Sequence, residues 1–172
     1  MSLHTIGNKI IFSSLTEHLK LDELKGEDAI VKGIREALSE SEAGVVEVDF
    51  STVGRVNSIG LNSWINALLK LKPTITYVKV PPWLVEQFNE RRRDLLSNAA
   101  VESIFVPFFN LNSGTQELKL MKMGSEIPYV QTYKGLEKSF EHKNDGGETL
   151  ELDVDLNQYL DWLIDPAPQF RK

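Results

Sequence analysis

The sequence predicts an α/β fold carrying a small β extension and a C-terminal helix. Three observations support this. From residue 27 to 108, segments rich in β-branched and aromatic residues alternate with segments whose apolar residues recur at the helical period. After Phe109 the chain breaks into short stretches divided by Gly, Asn and Asp. The stretch from Asp155 to Ile164 then returns to helical spacing.

In chain order, "IGNKIIF" (6–12) ends in three residues suited to a pleated, half-buried surface and predicts a strand. Residues 27–40 place Ile30, Ile34, Ala37 and Leu38 on one helical face, with Gly44 just beyond the end. "VVEVDF" (45–50) reads as a strand ending near Asp49, and "INALLKL" closes a second helix ahead of Pro73. "TITYVKV" (74–80) alternates as a strand and stops at Pro81-Pro82. A third helix over 83–96 has Trp83, Leu84, Phe88 and Leu95 as apolar anchors, and "VESIFVPFF" (101–109) is a further strand. In the last helix Leu156, Tyr159, Leu160 and Leu163 share a face, and Asp155 suits the cap. Trp64 is expected in the core; Trp83 is expected to pack under the third helix, with a place on a rim at the strand end as the alternative. Trp162 falls off the last helix's face; packing onto the main domain is the stronger reading, exposure as a docking residue the weaker.

Composition narrows the function. A chain of 172 residues fits one domain, or one domain with an appendage. No apolar run approaches the roughly 20 residues of a membrane span, and Met1 to Lys9 lacks the basic and apolar regions of a secretory signal. With no cysteine there are no disulfides, thiolate nucleophiles or sulfur-bound metals, and a cytoplasmic location is expected. The net charge is −6, yet Leu136 to Asp165 alone holds nine Asp/Glu against two Lys, or −7, leaving +1 elsewhere. That distribution speaks against nucleic-acid binding, which needs concentrated positive charge. Arg91, Arg92 and Arg93 are offset by Glu86, Glu90 and Asp94 on the same helix.

The richest segment is "VVEVDFSTVGRVNSIGLNSW". A strand runs to Asp49, "STVGRV" loops, and Asn57-Ser58 opens a helix that either residue is able to cap. Leu61, Trp64, Ile65 and Leu68 follow at i, i+3, i+4 and i+7, so one side packs on the sheet. Gly60 permits close approach to the helix start.

These residues resemble the signature of the STAS domain, the fold of anti-sigma-factor antagonists, in Asp49, Phe50, Ser51, Val53, Val56, Asn57, Ser58, Gly60 and Leu61. The resemblance covers about residues 1–108, with 109–172 as the extension. It implies a non-enzymatic signalling module whose protein partner, such as a kinase-type anti-sigma factor, docks on Asp49, Ser51, Val53, Asn57, Ser58, Ile59, Gly60 and Leu61. It also implies Ser58 as phosphoacceptor, since phosphate adds roughly −1.5 to −2 charge where a partner sits. Two positions depart from the pattern: Ile59 stands where a second hydroxyl is usual, and Asn57 where Asp is common. An alternative is nucleotide or anion sensing through the free N–H groups of the same helix start.

The extension resembles a zinc ribbon that has lost its cysteines. On "VPFFNLNS" and "HKNDGGETLEL" the ligand positions fall at Asn110, Ser113, His142 and Asp145. Asn and Ser are poor zinc ligands, so no metal and no cofactor is expected. An enzyme would need a base near a nucleophile. The three histidines, His4, His18 and His142, sit in no recognisable pairing, and there is no Walker-type or G-x-G-x-x-G loop.

Overall fold

The computed structural model describes residues 2–13, 26–53, 56–136, 140, 142–144 and 146–164. The fold is α/β. It opens with a hairpin of β1 (Ser2–Ile6) and β2 (Lys9–Ser13), antiparallel with Ile6 opposite Lys9. The strand expected over 6–12 is therefore two half-strands of a turn. Gly7 at φ 58° is the reason: it supplies the left-handed residue at the first central position of a two-residue hairpin turn.

Next come α1 (Gly26–Ser39), β3 (Val45–Thr52), α2 (Ser58–Leu71), β4 (Thr74–Val78), α3 (Pro82–Leu96) and β5 (Ala99–Val101). The first sheet has the order β1-β2-β3-β4-β5, with β2 to β5 parallel. Each new parallel strand is added on the same side of the last. Right-handed crossovers then place all three helices on one face. Burial follows suit: Ile10, Val46, Val48, Phe50, Ile75 and Tyr77 point at the helices and are buried, while Lys9, Glu47 and Thr76 on the other face are half-exposed. The expected anchors Ile30, Ile34 and Ala37 of α1 are buried, with Leu38 packed at the margin.

Two expected strands end differently. "TITYVKV" stops at Val78, because Lys79 adopts a left-handed φ of 53° and its N–H bonds to Ser103 Oγ at 2.9 Å. "VESIFVPFF" divides at Glu102: β5 closes the first sheet, and β6 (Ser103–Asn110) opens the second. Val80 joins them. Its N–H bonds to Ser103 O at 3.0 Å and its carbonyl accepts from Phe105 N at 2.8 Å. The second sheet is antiparallel, with β7 (Thr115–Lys122), β8 (His142–Lys143) and β9 (Thr149–Leu152) in the order β7-β6-β9-β8.

The single closing helix is also two pieces, α4 (Leu156–Tyr159) and α5 (Asp161–Ile164), and Asp155 caps the first by accepting from Asn157 N at 2.8 Å. The cause of the break lies on α3. Asn89 donates its amide to the carbonyls of Gln158 (2.9 Å) and Tyr159 (3.4 Å), and its Oδ1 accepts from Trp162 N at 2.9 Å. A side chain inserted into the helical ladder satisfies groups that would otherwise bond to one another. The break turns Trp162 inward to 3% exposure, edge-on to Phe88 with ring centres 5.4 Å apart. Its indole Nε1 is buried with no hydrogen-bond partner. Buried apolar residues from Ile10 to Leu163 form one continuous cluster, so both sheets share a core.

Candidate functional site

The polar bend between β3 and α2 rests on an aromatic block. Phe50 meets Trp64 and Trp83 edge-to-face, with ring centres 6.1 and 6.0 Å apart. Such pairs add about 0.5–1.5 kcal/mol each beyond the area they bury. Trp64 Nε1 donates to the Tyr77 hydroxyl at 3.1 Å, and that hydroxyl donates to Leu95 O at 3.3 Å, so a buried chain ties α2, β4 and α3 together. Burial raises the Tyr77 pKa well above the phenol range and keeps the hydroxyl neutral. Trp83 Nε1 donates to Val53 O at 3.4 Å, which fixes α3 to the loop behind β3.

On this base, Asn57 caps α2: its Oδ1 accepts from Gly60 N at 2.9 Å. Ser58 is thereby the first residue of the helix, and its hydroxyl lies outside the capping bond. Of the eight residues expected at the docking surface, Ser51, Asn57, Ser58 and Ile59 are exposed, the last by 66%. Asp49, Val53, Gly60 and Leu61 are buried. Asp49, Val53 and Gly60 shape the surface from beneath, while Leu61 keeps a small exposed edge on the adjacent groove.

Asp49 shows why. It lies inside β3, not at its end, and is 4% exposed. Its Oδ1 accepts from Ser51 N at 2.8 Å, while Oδ2 meets Lys9 Nζ at 3.1 Å and Lys79 Nζ at 3.4 Å. Burial by itself raises the pKa of this acid. The hydrogen bonds from Ser51 and the two ammonium groups outweigh it and hold the value at about 2. Lys9 is correspondingly raised, chiefly by its bond to Glu47 and against the cost of burial.

Beside the bend, an open groove of about 390 Å³ runs between α2 and α3. Val56, Asn57, Ser58 and Leu61 form one wall; Trp83, Glu86, Gln87, Glu90 and Arg91 form the other. Arg91 spans it, donating to Asn62 Oδ1 at 2.6 Å. Glu86 and Glu90 work against a free anion here, although the α2 N–H groups favour one. No histidine lines the groove.

The extension holds a second polar cluster. Asn110, 1% exposed, donates to Glu117 Oε1 (2.9 Å) and Glu148 Oε2 (2.7 Å), and Asn144 donates to the same two oxygens (3.2 and 2.8 Å). The Asn110 Oδ1 accepts from the N–H groups of Asn112 and Ser113; the Asn144 Oδ1 accepts from those of Gly146 and Glu148. These bonds from the asparagines lower both glutamate pKa values. The pairing differs from the expected four-residue set. Asn110 belongs to it, but Ser113 bonds to Thr115 at the surface and His142 stacks edge-on to Phe108 at 5.1 Å. Asp145 lies outside the described residues, as does His18. Among the described residues no group of three His, Cys, Asp or Glu is arranged to hold a metal ion, and no helix is long and apolar enough to cross a membrane.

Sequence reasoning missed Asn144, Asn89 and the lysine pair around Asp49. The Asn-x-Gly-Gly turn at 144–147 was a signal for the first; the others are long-range contacts with no local signature. Compared with known proteins, the chain matches no family model, no curated protein and no solved structure.

Proposed function

We propose that the protein is a non-enzymatic signalling module of the cytoplasm, similar to STAS-type anti-sigma-factor antagonists, whose protein partner docks on the start of α2. The partner contacts Ser51, Asn57, Ser58 and Ile59 and places a side chain in the adjacent groove. A kinase-type anti-sigma factor is the partner class that the resemblance favours. The observation carrying this reading is the division of labour at the helix start. Asn57 takes the capping bond, leaving the Ser58 hydroxyl at the surface beside an apolar Ile59 that nothing in the fold requires to be exposed.

Phosphorylation of Ser58 is the switch. The new anion would gain the α2 N–H groups and Arg91, yet meet Glu86 and Glu90 across the groove. A docked partner would lose its fit to the neutral rim.

The test is capture by immobilised wild type, Ser58→Ala, Ser58→Asp and Ile59→Glu from extract of the source cell. A species retained by wild type and Ser58→Ala but lost from the other two supports the switch. Equal capture by all four places recognition elsewhere and defeats the proposal.

A further inference from the structure

β7 is the outer strand of the second sheet. β6 covers one of its edges in unbroken register, from Ser103 opposite Lys122 to Asn110 opposite Thr115, and no strand among the described residues lies along the other. An edge of eight residues is long. Natural edges are commonly shortened, bulged or interrupted by proline, because unpaired main chain recruits other strands. β7 has neither bulge nor proline. Its Leu118 and Leu120 are 49% and 40% exposed on one face, where their neighbours across the ladder are Pro107 and Phe105. The other face carries Glu117 and Lys119, whose Oε2 and Nζ stand 3.9 Å apart.

We propose that β7 pairs antiparallel with β7 of a second copy of this chain, about a two-fold axis at Leu118. The charges select both occupant and register. A strand meeting its own copy about Leu118 sets Glu117 of each chain opposite Lys119 of the other, twice by symmetry, and Leu118 opposite Leu118. Asn110 and Asn144 engage only Oε1 of Glu117, and its Oε2 has no closer partner among the described residues than Lys119 of the same strand at 3.9 Å, a loose contact that the cross-strand pair replaces. The neighbouring two-fold register, centred on Lys119, would match Leu118 with Leu120 but confront two lysines, and like charges directly opposite destabilise a strand pair. The Leu118 register joins the two sheets into one and brings both leucine faces to the same side. Because the contact is isologous, it closes at two copies and does not propagate.

Sedimentation equilibrium of the full chain over a dilution series tests this, with circular dichroism confirming that each variant folds. Wild type is expected to associate to a dimer. Leu118→Lys should be monomeric, and Lys119→Glu should weaken the dimer by about tenfold or more, since two attractive cross-strand pairs become repulsive. Leu111→Ser removes an exposed apolar side chain from the turn beyond the strand pair and should leave the constant unchanged. Should Leu118→Lys fail to fold, Lys119→Glu decides alone. A wild type that stays monomeric into the high-micromolar range overturns the proposal and leaves the edge for a strand of a different protein. A dimer that both β7 variants leave intact overturns it equally, because the copies then meet elsewhere.

Discussion

Replacing Asp49 by Asn tests the account of the buried acid beneath the α2 bend. The carboxyl falls from its ordinary 3.8 to about 2 in the folded chain. At roughly 1.36 kcal/mol per unit, its ionised form contributes at most about 2 kcal/mol to stability. A neutral amide is cheaper to bury and still accepts from Ser51, and Lys9 keeps Glu47 at 2.8 Å. The net loss at neutral pH is therefore about 1–2 kcal/mol, or a fall of roughly 2–8 °C in Tm for a chain of this size. The pH dependence has a definite sign. An acid with a depressed folded pKa stabilises above its unfolded value, and that contribution disappears as pH falls through the folded value. The gap between wild type and Asp49→Asn should thus be full above about pH 4 and close toward about pH 2. Urea unfolding of both proteins across that range measures it. Equal stability at pH 7, or a gap that stays constant down to pH 2, would refute the reasoning.

Five further substitutions probe other parts of the structure. Asn57→Ala should cost about 1 kcal/mol in thermal unfolding, whereas Ser58→Ala should change stability by less than about 0.5 kcal/mol, because the cap resides in Asn57 alone. Trp162→Phe deletes a buried donor without a partner while keeping an aromatic ring against Phe88, so it should cost less than about 1 kcal/mol; Trp162→Ala should cost about 3–5 kcal/mol. Asn110→Ala leaves Glu117 and Glu148 short of a donor each and opens two backbone bonds at the hairpin turn. Faster amide exchange at Asn112 and Ser113 should report it.

What was legible in the sequence is what periodicity encodes. Ile30, Ile34 and Ala37 marked α1, and Leu61, Trp64, Ile65 and Leu68 marked α2 in the face they bury. Turn chemistry is partly readable: Pro73 marks the end of α2, but the strand before Pro81-Pro82 already ends at Val78, and Gly7-Asn8 is a turn inside the stretch that reads as one strand. The bend between β3 and α2 was legible as local structure, the facing of its residues only in part. Strand alternation alone puts Asp49 on the face opposite Val48 and Phe50; on that face it meets Lys9 of β2 and Lys79, the residue after β4. The break between α4 and α5 was invisible locally, because its cause is Asn89 on a different helix, about 70 residues earlier. The partition at Glu102 was equally hidden, since a continuous β-rich run does not say which sheet each half joins.

The joint at Val80 has a mechanical meaning. Its two main-chain bonds fasten the β6–β7 hairpin to the residue directly before Pro81-Pro82, where α3 and the indole of Trp83 begin. A load applied at the hairpin therefore reaches the chain three residues before Trp83, which lines the α2 groove. The β6–β7 hairpin and the groove wall are thus anchored to one short run of chain, Val80 to Trp83.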